Sequence, residues 1–126
     1  MPLFQLGRFM SASGLPLEWK IECDDLSPSD LDCLAFVGKE LIGDFGPVVY
    51  VPEGAWHFAQ AMRKWSSLSS ARVLLVDDVL TTGASITRVR ERLLRNQRDV
   101  VGLVIFARAM PPPWVHAIFT LAEGVK

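Results

Sequence analysis

The sequence predicts an α/β fold, a small and mostly parallel central sheet flanked by helices. Three observations lead there. Strongly apolar runs at 47–51, 72–76 and 100–106 each have the length of a buried strand. Between them lie segments whose apolar residues recur at helical spacing. Turn-forming residues stand at the changeovers. Strands that alternate with helices pair in parallel through right-handed crossovers. The 126 residues fit one domain, 1–126, and half of them are apolar, so a core can be buried.

Taken in order, residues 1–26 read as irregular, with Gly7, Gly14 and Pro16 as breakers and one extended stretch at 18–23. Ser27-Pro28-Ser29-Asp30 then starts a helix. Ser27 can cap it, Pro28 suits its first position, and Asp30 favours the positive end of the dipole. Leu31, Leu34, Ala35, Leu41 and Ile42 continue at helical spacing as far as Gly43. The strand 47–51 is closed by Pro52-Glu53-Gly54, and Ala55, Phe58, Met62 and Trp65 mark a second helix. Residues 66–70 are a short serine-rich connector to the strand 72–76. After Thr81-Thr82-Gly83, the positions of Ile86, Val89, Leu93 and Leu94 give a third, amphipathic helix. The strand 100–106 and a fourth at 115–121 follow, separated by Pro111-Pro112-Pro113.

Composition excludes several function classes. The formal net charge is −1 and no long basic run occurs, so no nucleic-acid partner is expected. Arg88, Arg90, Arg92 and Arg95 fall on a predicted helix with Glu91 among them, which reads as a solvated face. No apolar stretch approaches the roughly 20 residues that span a bilayer, so no membrane association is expected. The first five residues lack the charged start and apolar middle of a secretory signal. Cys23 and Cys33 have no metal-ligand spacing and read as buried thiols of a cytoplasmic protein. His57 and His116 have no visible acid–base partner and read as surface or packing residues.

In such folds ligands sit beyond the carboxyl ends of the strands. That rule gathers Pro52-Glu53-Gly54, Asp77-Asp78 and Ala107-Arg108. Two adjacent carboxylates at the end of a buried strand need partners, because desolvated charge is costly. A sugar diol supplies one, and a divalent cation another. The Thr81-Thr82-Gly83 turn opens a helix, and its hydroxyls, backbone N–H groups and glycine make a phosphate cradle. Together they suit a single ribose 5-phosphate. The plainer alternative is an acidic strand end followed by a capped helix.

The run Val73-Leu74-Leu75-Val76-Asp77-Asp78-Val79-Leu80-Thr81-Thr82-Gly83-Ala84-Ser85 resembles the signature of type I phosphoribosyltransferases. The resemblance implies that Asp77 and Asp78 hold the ribose hydroxyls as the catalytic pair. It implies that Val79 to Ser85, with Thr81, Thr82, Gly83, Ala84 and Ser85 foremost, wrap the 5′-phosphate of ribose 5-phosphate diphosphate. Pro52, Glu53, Gly54 and Ala55 occupy the place of the diphosphate loop. Three further stretches resemble orotate phosphoribosyltransferases. Ser13-Gly14 with the segment 19–23 resembles the part that lies over the base, so Trp19 and Lys20 become base-binding candidates. Phe106-Ala107-Arg108 resembles the strand end whose arginine faces the base, and 115–120 the last strand.

The resemblance implies a Mg²⁺-dependent transfer of phosphoribosyl to a pyrimidine-type base, giving a nucleoside 5′-monophosphate and diphosphate. Its partners would be that phosphoribosyl donor and a nucleobase, and a homodimer is expected. Two departures stand out. Leu15-Pro16 occupies the place of a lysine, and 57–72 is too short for the family's long mobile loop of basic catalytic residues. Arg63 and Lys64 are the adjacent basic pair near that shortened region, as replacement cations or as a solvated face. The second reading of the whole chain is therefore a catalytically weak sensor or accessory protein that binds a phosphoribosyl ligand or nucleotide.

Overall fold

A computed structural model describes residues 4–10, 16–21, 23–52, 54–96 and 99–121, with the backbone alone for 4–10, 16–21 and Asp24. Strand β1, Phe4–Met10, pairs antiparallel with β2, Pro16–Ile21, from Phe4 opposite Ile21 to Met10 opposite Pro16. The extended stretch expected at 18–23 overlaps β2, whereas β1 lies in a segment expected to be irregular. The register of the pair shifts between Leu6 and Phe9, at Gly7 and Arg8. A glycine inside a strand often marks such a bulge, so a residue that reads as a breaker is one the strand passes through.

Helix α1, Pro28–Ile42, begins as expected and is better capped. Ser27 Oγ accepts from the Asp30 N–H at 3.1 Å, and Asp30 Oδ2 accepts from the Ser27 N–H at 2.9 Å. This capping box satisfies two donors that the helix itself cannot. Gly43 closes the other end at φ +80°, donating its N–H to the Lys39 carbonyl at 2.9 Å. Ala35, Gly38 and Ile42 form the buried face, whereas Leu41, expected inside, is half exposed. Gly38 lets α1 come close to the sheet, since a Cβ there would lie 2.7 Å from Leu103 Cδ2.

The second sheet has the order β3-β4-β5-β6, with every neighbouring pair parallel. Its strands are β3, Val48–Tyr50, β4, Val73–Leu80, β5, Val100–Ala107, and β6, Val115–Thr120. Helix α2, Trp56–Arg63, and α1 pack on one face with Phe58, Met62, Leu74, Val76 and Leu103. Helix α3, Ala84–Leu93, covers the other face with Ile86 over Val73, Leu75 and Val104. A helix separates β3 from β4 and β4 from β5, whereas β6 follows β5 without one, and apolar side chains on both sheet faces account for the continuous apolar runs. Arg90 leaves the solvated face expected for its neighbours and stacks 4.6 Å from the centroid of Trp114.

The edge of β3 is closed by side chains. Arg63 donates to the Val48 carbonyl at 3.0 Å and also to Gln60 Oε1, while Lys64 pairs with Asp32 at 2.9 Å. The basic pair is thus committed to structure, away from the site built below. No helix among the described residues is long and apolar enough to cross a membrane.

Candidate functional site

The site originates where β3 leaves β4. Pro47 accepts from Leu74 N–H and Val51 donates to the Val76 carbonyl, each at 2.9 Å. Val51 makes the last of these bonds, and the chain turns away from β4 at Pro52. Strand β4 nevertheless runs on to Leu80, paired on its other side with β5 up to Ala107. Asp77 and Asp78 therefore lie within the strand rather than beyond it, at the point where one flank has opened. The two carboxylates replace the lost neighbour. Asp77 Oδ1 accepts from the Asp78 N–H and Asp78 Oδ1 from the Val79 N–H, both at 2.8 Å.

Burial is the main force on Asp77, pushing its pKa from 3.8 up to about 8. The Asp78 charge beside it and a side-chain hydrogen bond to Asp78 act in the same direction. A protonated Asp77 next to Asp78 lowers the cost of burying the pair until a ligand supplies donors or positive charge.

The opened flank is a cavity of about 190 Å³. All of 77–85 lines it, together with Val51, Pro52 and Gly54 from the loop after β3 and Ile86 of α3. Gly83, at φ +82°, turns the chain into α3, and Thr82 Oγ1 accepts from the Ala84 N–H at 3.2 Å. Glycine adopts this left-handed geometry without strain and has no side chain to fill the space. The amides of a helix's first turn carry partial positive charge, so hydroxyls and amides here together suit a phosphate.

The loop after β3 meets Asp78 closely. A Cβ at Gly54 would lie 2.5 Å from Asp78 Oδ2, so only glycine fits without movement. Glu53 lies outside the described residues. Ala55 is not a wall residue, because its side chain is fully buried in the core below α2. Among the described residues, the walls of this cavity include no lysine or arginine.

A second cavity, of about 350 Å³, adjoins the first and has Gly54 and Asp78 in common with it. Its other walls are Cys23, Leu26, Pro28, Leu31, His57, Phe58 and Ile105. His57, read from sequence as a surface or packing residue, lines this chamber while remaining exposed. Nothing in its sequence neighbourhood signals that; only its spacing of three from Gly54 hints that both belong to one turn. Trp19 and Lys20 lie on β2, opposite Leu6 and Gln5. Arg108 follows β5 with its side chain buried and its N–H donated to the Leu80 carbonyl at 2.8 Å. It belongs to the walls of neither cavity.

No protein-family model and no curated protein matches the sequence. Among solved structures, orotate phosphoribosyltransferase from Aeropyrum pernix is 22% identical with a TM-score of 0.75, covering 94% of this chain and 88% of its own. That of Mycobacterium tuberculosis, solved in complex with inorganic phosphate, is 18% identical with a TM-score of 0.71 over 93% of this chain and 88% of its own. The chain has the type I phosphoribosyltransferase fold. Within that fold it is most like the orotate enzymes. The hypoxanthine phosphoribosyltransferase of Trypanosoma cruzi covers 78% of this chain and 75% of its own, with a TM-score of 0.52 and 10% identity.

The two carboxylates at the opened flank of β4 also fit Mg²⁺. No three His, Cys, Asp or Glu side chains converge among the described residues, so the protein offers no closed metal cage. Magnesium does not require one. It takes one or two carboxylates and completes its shell with water and substrate phosphates. Asp77 and Asp78 are the residues that would hold it.

Proposed function

We propose that the protein binds ribose 5-phosphate diphosphate in the first cavity and transfers its phosphoribosyl group to a pyrimidine-type base in the second. The products are a nucleoside 5′-monophosphate and diphosphate. One observation carries this reading: the contiguous Asp-Asp strand and Thr-Thr-Gly turn and the Gly54 loop, distant from them in sequence, line one cavity. The phosphate of the ribose is assigned to Thr81 through Ser85, its hydroxyls to Asp77 and Asp78, and the diphosphate to the loop at Pro52, Glu53 and Gly54. Trp19 and Lys20 are assigned to the base by resemblance alone, whereas Arg108, which the resemblance also assigns there, lines neither cavity. A cytoplasmic homodimer completes the reading, and α1 leaves Phe36, Val37 and Leu41 exposed as apolar surface for such a contact.

In the transfer, the bond from ribose C1 to the diphosphate oxygen breaks and both electrons leave with the diphosphate. A ring nitrogen of the base then bonds to C1 and gives up its proton. Bound Mg²⁺ would supply positive charge to the departing diphosphate. Asp78, beside the ribose, stabilises the cationic sugar electrostatically.

The commitment of Arg63 and Lys64 to Val48, Gln60 and Asp32 favours the second reading, a weakly catalytic or purely binding protein. Incubation with Mg²⁺, ribose 5-phosphate diphosphate and a panel of bases separates the two. Base-dependent release of diphosphate, absent in Asp77→Asn/Asp78→Asn, establishes the transferase. Binding of the donor without release establishes the sensor. Absence of binding sinks both.

A further inference from the structure

The chemistry of the second cavity narrows the acceptor, an inference that rests on the proposed transferase reading. A ribose whose hydroxyls bond Asp77 and Asp78 has its C2 hydroxyl one carbon from C1. The reacting carbon therefore lies close to Asp78, where the two cavities meet. Whatever bonds to C1 from the second cavity lies against its walls.

Among the described residues, those walls are apolar at Leu26, Leu31, Phe58 and Ile105, and Asp78 adds a carboxylate to them. An anionic base would lose water to an apolar surface and lie beside like charge. An uncharged ring gains from the same burial. His57 adds directional chemistry, because its ring nitrogens form hydrogen bonds along fixed directions. Its backbone is set by Phe58, which is buried in the core, and its ring meets that of Trp56 edge-on at 5.4 Å. We infer that the acceptor is an uncharged pyrimidine-class base and that His57 is the residue that selects it.

Calorimetric titration of the whole chain with ribose 5-phosphate, uridine 5′-monophosphate and orotidine 5′-monophosphate tests this. The wild type is expected to bind the uridine nucleotide about tenfold more tightly than ribose 5-phosphate, the effect of one added polar contact and ring burial. It is also expected to prefer the uridine to the orotidine nucleotide. In His57→Leu the uridine nucleotide loses the part of that advantage that the polar contact supplies and keeps the part that ring burial supplies, while the binding of ribose 5-phosphate is unchanged and reports a folded first cavity. His57→Gln, which keeps a donor and an acceptor, recovers part of the loss. Preference for the orotidine nucleotide overturns the inference, as does a base advantage undiminished in His57→Leu. Equal binding of ribose 5-phosphate and the uridine nucleotide by the wild type overturns it too, while leaving the first cavity's role standing. Failure of the wild type to bind ribose 5-phosphate removes the transferase reading itself, and the inference with it.

Discussion

Strands β4 and β5 are neighbours of equal length, eight residues each, yet only β4 carries charge within its span. Strand β5 keeps β4 on one side and β6 on the other, and every one of its residues is buried. Strand β4 loses β3 after Val51, and from that point Asp77, Asp78 and Val79 are only partly buried. The difference teaches where this sheet can hold chemistry. A carboxylate pair is sustainable in a buried strand when a neighbour has departed and the freed amides accept it as partner. The same pair placed inside β5 would have neither an opening nor free amides.

Breaking the pair is expected to have the largest effect. Asp77→Asn/Asp78→Asn should weaken ribose 5-phosphate diphosphate binding by about a hundredfold or more, read by calorimetry, since charged hydrogen bonds contribute about 1.5–3 kcal/mol each. The counterpart in β5 separates stability from binding. Leu103→Ala should lower unfolding free energy by roughly 2–5 kcal/mol in denaturant titration, with donor affinity at the native baseline unchanged. Loss of affinity there would mean that the site depends on the whole sheet rather than on the opened flank.

A smaller effect is expected at Gly54, where the added methyl of Gly54→Ala meets Asp78 Oδ2. Displacing that carboxylate should cost about tenfold in donor affinity, roughly one hydrogen bond to a charged group. Gly83→Ala should lower stability by about 1 kcal/mol, because alanine is strained at φ +82°.

The subtlest test is pH. Asp77 in the folded chain titrates at about 8, above its ordinary 3.8, so folding favours its protonated form. Its stabilising contribution is complete below 3.8 and is lost as the pH rises through about 8. Asp77→Asn removes this titration. The melting temperature of the variant relative to wild type should therefore climb across that window, and a flat difference would show that Asp77 is not held protonated.

The legible parts of the fold are those with local causes. Ser27, Pro28 and Asp30 start α1, and Gly43 ends it, through bonds between residues three or four apart. Strand β2 was legible in part, as the extended stretch at 18–23, but β1 was not, because Gly7 interrupts the pattern at the register shift that the pairing accommodates. Leu41 was assigned inward by spacing, but helical spacing alone does not say which edge of an apolar stripe the sheet covers. Arg63 and Lys64 had two readings until their partners, Val48 and Asp32, were known.

The candidate site divides in the same way. The strand, the Asp77-Asp78 pair and the Thr81-Thr82-Gly83 turn form one contiguous run, so their succession was determined by the sequence by itself. Only the tertiary structure decided that Gly54 abuts Asp78, that His57 lines an adjoining chamber, that Ala55 belongs to the core, and that Asp77 holds its proton. Each of these depends on elements far apart in the chain and on water excluded between them. Burial and through-space neighbours are set by how helices and strands pack, and no local pattern of residue types encodes that.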